Sequence, residues 1–205
     1  RNVKLHQTSF LRENVAYRVF QSENKKARTL ELCKSLKNSS GIVYCQTRRS
    51  VRELNLMLQS EGLSSEMYHG GMKNEERKET MRLWMENERK IIVATNAFGM
   101  GIDKPDVRFV IHYDAPQSLE GYYQETGRAG RDGLPADAWM VYGLQDVMWL
   151  RQRLEQTDMD ASIKRAEQSK LDAMLGLCEI THCRRQAILS YFNEDAASGC
   201  GNCDN

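Results

Sequence analysis

Six short apolar runs alternate with helical patterns along most of this chain, and that rhythm limits the fold more than any other property. Strand signals lie near 15–20, 41–45, 65–68, 90–94, 109–113 and 137–142, with helical patterns near 25–37, 50–61, 74–86 and 118–126. Strands separated by helices cannot close as hairpins; they need crossovers, which give an α/β fold with a largely parallel sheet. Ala27, Leu30, Cys33 and Leu36 fall on one helical stripe, so Cys33 is expected in the core. Cys45 ends a buried strand, and Met81, Trp84 and Met85 are assigned to the core as well. After about residue 143 the strands stop. Residues 144–156 and 162–177 are charged and amphipathic, Thr181 is placed to cap a further helix through Phe192, and 196–203 is loop. The chain of 205 residues therefore divides into a lobe over 1–143 and a small helical unit over 144–205.

Three segments carry chemistry. YYQETGRAGRDG at 122–133 sets Gln124, Arg128 and Arg131 among glycines. Two guanidiniums three residues apart in such a turn can reach one anion together. A phosphoryl group in transfer is such an anion, and the planar, permanently charged arginine fork suits it. ATNAFGMGIDKPDVRFVIHYDAP at 94–116 follows a strand and supplies Thr95, Asn96, Gly99, Gly101 and Asp103. Its glycines allow close backbone approach to phosphate. GIVYCQTRRSVREL at 41–54 reads as strand, short loop and helix start, an anion-accepting geometry that contains Thr47 and Arg48. Ser50 and Glu53 are expected to form a capping box there, with Gly62 just past the helix end. Arg52 reads as solvated helix face, and Arg49 is open between that and a contact in the same basic cluster.

Together and in this order, the three segments resemble motifs VI, V and IV of superfamily 2 helicases. The form Q-E-T-G-R-A-G-R-D-G resembles the RecQ family of DNA helicases. Tyr68-His69-Gly70-Gly71-Met72 and Ser9-Phe10-Leu11-Arg12-Glu13-Asn14 are similar to further RecQ segments. The resemblance implies a second RecA-like, P-loop NTPase-type lobe followed by a zinc-binding subdomain. It implies Arg131 as an arginine finger with Arg128 beside it on phosphate, and Gln124, Gly101 and Asp103 around bound ATP. It also implies Thr47, Arg48, His69, Thr95 and Asn96 along DNA. His69 reads equally well as a phosphate contact or as a hydrogen-bonded rim histidine.

Four of the six cysteines lie in the helical unit: Cys178, Cys183, Cys200 and Cys203. No signal peptide or membrane span is visible, which favours thiolate–zinc over disulfides. Cys200-x-x-Cys203 is half of a common zinc site, and Cys183 sits near a helix start, where the dipole lowers a thiol's pKa. A small unit with a weak core of its own needs such a staple. By the resemblance, the metal residues are Cys183, Cys200 and Cys203, with a fourth cysteine expected at position 206, beyond Asn205. Cys178 is five residues from Cys183, off its face in a continuous helix, and is taken as a structural thiol; His182 and Asp204 are further alternatives.

Neither a G-x-x-x-x-G-K-[ST] phosphate loop nor a D-E-x-H-like magnesium motif occurs in the sequence. ATP and Mg²⁺ are accordingly expected mainly on an N-terminal RecA-like lobe of the same protein. The net charge is only +1, from 29 basic and 28 acidic residues, so composition alone does not announce nucleic acid. Arg184 and Arg185, beside Cys183, serve either phosphate contact or packing. The partners implied are single-stranded and duplex DNA and the N-terminal lobe, with no membrane. The setting implied is the bacterial nucleoid or the eukaryotic nucleus. An RNA helicase lobe and a non-enzymatic zinc-stabilised nucleic-acid module are the competing readings.

Overall fold

The computed structural model describes residues 9–99, 102–195 and 199–205. Six strands form one sheet: β1 (Val15–Gln21), β2 (Ser40–Tyr44), β3 (Ser65–Tyr68), β4 (Ile91–Ala94), β5 (Val107–His112) and β6 (Ala136–Tyr142). Their order across the sheet is β1-β6-β5-β2-β4-β3, and every pairing among them is parallel. Between them run α1 (Lys25–Ser35), α2 (Arg48–Ser60), α3 (Asn74–Met85) and α4 (Leu119–Thr126); α5 (Leu144–Gln156), α6 (Ala161–Glu179) and α7 (Arg184–Tyr191) follow β6. The α/β reading and its parallel sheet are observed as expected.

A sheet covered on both faces needs apolar residues on both sides of each strand. In β4, Ile91 and Val93 face one cluster with Leu32, Cys33, Val51, Leu54 and Leu58, while Ile92 and Ala94 face the other. That second cluster holds Trp84 and Tyr122 of the lobe together with Leu171, Met174 and Ile188 of the helical unit. The helical unit therefore does not rely on a core of its own; it completes the lobe's. A partly buried charge cluster adds to this, since Lys25 bonds both Asp114 at 2.8 Å and Asp146 at 2.5 Å. Asp146 also accepts the Gly143 N–H at 2.7 Å, which fixes the start of α5.

Several local expectations are corrected. The buried face of α1 is Thr29, Leu32 and Cys33, and Ala27 is exposed. The helix turns the i+3/i+4 pair Thr29 and Cys33 to the sheet, so a strict i+3 stripe drifts off the face. Met85, the last residue of α3, is 40% exposed rather than core, while Trp84 before it is fully buried. The helix after β2 begins at Arg48, two residues before the expected 50, and Thr47 is its N-cap: Thr47 Oγ1 accepts the Ser50 N–H at 3.0 Å. Glu53 is left to pair with Arg49 and Lys26 on the surface, so there is no Ser50–Glu53 capping box. The last helix is capped by Cys183, not Thr181. Gly62 does lie past the end of α2 with φ +76.

Gly41 in β2 is needed for space: an added Cβ would lie 2.2 Å from the Phe109 ring of the neighbouring strand. Gly41→Ala is expected to cost about 1–3 kcal/mol by overpacking. Urea unfolding would measure it, and Phe109→Leu in the same chain should recover part of the loss. An unchanged midpoint would mean that the ring moves aside freely.

Candidate nucleotide, nucleic-acid and metal sites

The carboxyl ends of parallel strands are where an open α/β sheet gathers ligands. β2, β4 and β3 are neighbours, and their ends carry Thr47 and Arg48, Thr95 and Asn96, and His69 respectively. The fold thus aligns the five residues assigned to nucleic acid along one edge. Arg48 and Asn96 are exposed, whereas Thr95 is buried and its N–H bonds Tyr68 O at 3.2 Å. Arg48 lies over Gly71: a Cβ there would sit 2.8 Å from its Nη1, so the glycine makes room for the guanidinium. Thr47 spends its hydroxyl on the helix cap and the Ser50 hydroxyl, while the neighbouring Arg48 is exposed at the first position of α2.

His69 is 1% exposed and its Nδ1 accepts the Gly71 N–H at 3.2 Å. Burial, with Arg52 and Arg48 nearby, holds its pKa below the ordinary value. Above the unfolded value near 6.5, both states are neutral and nothing is lost. As pH falls through about 6.5, the unfolded chain takes up the proton first, so stability drops until the lower folded value is reached. His69→Gln is expected to flatten this acid limb in thermal melts run between about pH 7.5 and 5.5. Melts that keep the wild-type slope would assign the acid sensitivity to another group.

The two arginines come from one turn at the end of α4. Arg131 Nη1 bonds Ile102 O at 2.8 Å and Asp103 Oδ1 at 3.1 Å. Asp103 is largely exposed, and such a surface pair is worth about 0–1 kcal/mol, so the guanidinium can exchange it for a phosphate at little cost. Arg128 is 6% exposed and its Nη2 lies 2.8 Å from where a Cβ on Gly99 would sit. Tyr44, whose hydroxyl bonds Phe98 O at 2.9 Å, faces it: burial pushes this phenol up, and Arg128 works against that shift. Arg128 thus lies against Gly99 at the end of one described stretch, and Arg131 against Ile102 and Asp103 at the start of the next. Gln124 is exposed on α4, and Gly101 lies outside the described residues.

Sequence reasoning missed the residues that hold this turn. His112 Nε2 meets Glu125 Oε2 at 2.7 Å, locking α4 to β5, and His112 is stacked on Tyr44 with centroids 5.5 Å apart. Glu125 stood inside the quoted run without a role. Arg12 and Asn14, also quoted without a role, bond the turn's carbonyls.

At the far end, the thiol sulfurs of Cys183, Cys200 and Cys203 all lie within 4.8 Å of one another. Cys183 and Cys203 sulfurs are 3.9 Å apart. That is too long for a disulfide and close to the edge of about 3.8 Å set by four Zn–S bonds of 2.3 Å. The donor set fits zinc. Burial raises the Cys183 thiol, but hydrogen bonds from the Gln186 backbone and the neighbouring cysteines outweigh it and leave it below the ordinary value; Cys200 is pushed up to about 11. The helix is not continuous between Cys178 and Cys183, since α6 ends at Glu179 with Ile180 as its C-cap, yet Cys178 stays apart, buried with its sulfur 3.3 Å from Met140 Sδ. Asp204 is taken by Arg184 and the Val19 N–H, and His182 is exposed. Arg184 and Arg185 are both buried and bond Asp204, Leu177 O and Val15 O, so their role is packing.

Two family descriptions match: helicase conserved C-terminal domain over residues 24–133, and RecQ zinc-binding over 144–205. The chain belongs to the helicase C-terminal domain family, in its RecQ-type form. This RecQ-type chain is 43% identical over 199 residues to the RecQ-like DNA helicase blm-1 of Caenorhabditis elegans, covering 94% of this chain and 20% of that protein. It is 38% identical over 204 residues to the ATP-dependent DNA helicase RecQ of Haemophilus influenzae, covering 100% of this chain and 33% of that protein. The chain thus spans a third or less of these relatives' length. Among solved structures, it is similar to the E. coli DEAD-box protein SrmB bound to regulator of ribonuclease activity A, with TM-score 0.58 and 28% identity over 77% of this chain and 88% of that one. No helix among the described residues is long and apolar enough to cross a membrane.

Proposed function

We propose that this chain supplies the arginine-bearing half of an ATP-dependent DNA helicase that moves 3′ to 5′ in DNA repair and recombination. The observation that carries the reading is the turn after α4, which sets Arg128 and Arg131 side by side, with Arg131 held on the exposed Asp103.

In this reading Arg131 contacts the γ-phosphoryl group as it transfers, Arg128 steadies it, and Gln124 positions the nucleotide, with Asp103 holding Arg131 between turnovers. ATP and Mg²⁺ are bound mainly by an N-terminal RecA-like lobe that carries a phosphate loop. Arg48, Asn96, Thr95, Thr47 and His69 lie along the sugar–phosphate backbone of single-stranded DNA. Cys183, Cys200 and Cys203 hold zinc, which when bound staples the chain's last residues to the fold. The division falls at 143/144, by function rather than by a gap in the core.

The test is an ATPase assay with single-stranded DNA and, separately, RNA. The 205-residue chain alone is expected to give no turnover, and the full-length helicase containing it to be stimulated by DNA. Robust turnover by the chain alone, lost on Arg131→Ala, would overturn the two-lobe reading. Stimulation by RNA but not DNA would favour an RNA helicase.

A further inference from the structure

Residues 9–14 run between the arginine turn and the cysteine-bearing unit, and they touch both. At one end, Arg12 closes its guanidinium on three carbonyls of the turn: Nη1 on Gly127 O at 3.0 Å, and Nη2 on Ala129 O at 2.7 Å and Gly130 O at 3.3 Å. These lie at and just beyond the end of α4, where helix geometry leaves carbonyls without partners and the dipole favours a cation. One planar fork with five donors can satisfy several of them together, which a lysine cannot. Asn14 Nδ2 adds bonds to Gly130 O at 2.7 Å and Leu134 O at 2.9 Å. Gly130 itself has φ +58, and a Cβ on it would meet Asn14 Nδ2 at 2.5 Å, so the turn is shaped around this clamp. Gly127 O also receives Arg131 Nε at 3.5 Å, so Arg12 and Arg131 converge on one carbonyl.

At the other end, the segment is held by the cysteine-bearing unit. Phe10 stacks on Phe192 with centroids 4.5 Å apart, and its N–H bonds Glu194 Oε2 at 2.7 Å. Beside Arg12, Asn202 Nδ2 donates to Glu13 O at 3.1 Å, and Arg185 Nη2 donates to Glu13 O at 3.3 Å and, just past the segment, to Val15 O at 2.8 Å. Tyr123 of α4 closes the loop by donating its hydroxyl to Phe10 O at 2.8 Å.

We propose that Arg12 is a positioning residue for Arg128 and Arg131, and that residues 9–14 transmit the packing of the cysteine-bearing unit to them. The inference rests on the reading of that arginine pair as phosphate ligands. A group that stabilises a transition state must be placed to within about half an ångström, and a misplacement of about 1 Å costs on the order of 10² in rate. Loosening the clamp should therefore cost turnover rather than binding.

The experiment uses Arg12→Gln, Arg12→Lys and Glu194→Gln in the full-length helicase. Arg12→Gln is expected to lower kcat for DNA-stimulated ATP hydrolysis by about 10–100-fold, with KM for ATP and affinity for single-stranded DNA within about threefold. Arg12→Lys should recover part of kcat, since an ammonium reaches fewer carbonyls. Amide hydrogen exchange provides a readout that needs no activity. It should rise over 127–134 in Arg12→Gln, and over both 9–14 and 127–134 in Glu194→Gln, with β2, β4 and β5 unchanged. Unchanged exchange over 127–134 with kcat within twofold of wild type would overturn the proposal. So would a uniform rise in exchange through the sheet, which would make Arg12 a general stabiliser. A wild type with no DNA-stimulated turnover would defeat the phosphate reading of Arg131 and the catalytic half of this inference. The exchange data would then still decide whether the segment holds the turn.

Discussion

Arg131→Ala in a helicase containing this chain is expected to lower kcat for ATP by about 10³–10⁵, the range arginine fingers supply elsewhere. DNA affinity should stay nearly intact, because among the described residues Arg131 bonds Ile102 O, Asp103 and Gly127 O and none of the residues proposed to line DNA. Arg131→Lys should behave almost as badly: an ammonium keeps the charge but loses the fork. The double variant with Arg128→Ala should be far from additive, since both guanidiniums would act on one developing charge. Steady-state ATPase and DNA-binding titrations decide it. Normal kcat with weakened DNA binding would move Arg131 to the nucleic-acid edge. Arg128 should also carry a structural penalty that Arg131 lacks, because it is buried against Tyr44 and Gly99 while the Arg131 side chain is 36% exposed.

Removing the metal site should have the second large effect. Cys203→Ser is expected to lower zinc affinity by more than the ~10–100-fold that outer-shell changes cost. The consequence spreads beyond the cysteines. Residue 203 bridges to Tyr17 on the edge strand β1, and the next residue, Asp204, bonds the Val19 N–H at 2.9 Å and Arg184 Nε at 2.5 Å. Arg184 keeps Asp204 below the usual carboxylate range despite partial burial, so this pair is lost only in acid well below neutral pH. Releasing the chain's last residues would leave Arg184 buried without its counter-charge, a loss of about 3–5 kcal/mol when such pairs are broken. Zinc content, limited proteolysis after about Asn193, and thermal melts with and without chelator would show it. Equal zinc content and equal protease resistance in Cys203→Ser and wild type would remove Cys203 from the site and, with it, the metal staple.

The period of the apolar residues and the order of the glycine- and arginine-bearing segments were enough to establish the α/β class, the parallel sheet and the RecQ-type resemblance. Both are local properties: strand and helix periods are written in neighbouring residues, and a turn that carries two arginines needs its glycines close by. The cysteine spacing was legible for the same reason, since a C-x-x-C turn and a helix-start thiol are each made within a few residues. What neighbouring residues could not decide was which side chains hold these segments in place. Arg12 reaches carbonyls more than a hundred positions away, Glu125 is locked by His112 across a helix and a strand, and Arg184 is matched to Asp204 only when the last residues lie along β1. The same distance explains the corrections: Thr47 takes the cap from Ser50 because the strand end delivers it to the helix axis, and Arg184 and Arg185, basic in the sequence, are buried because the helical unit shares the lobe's core. Partners of that kind are set by topology, and topology is fixed only when the whole sheet has closed.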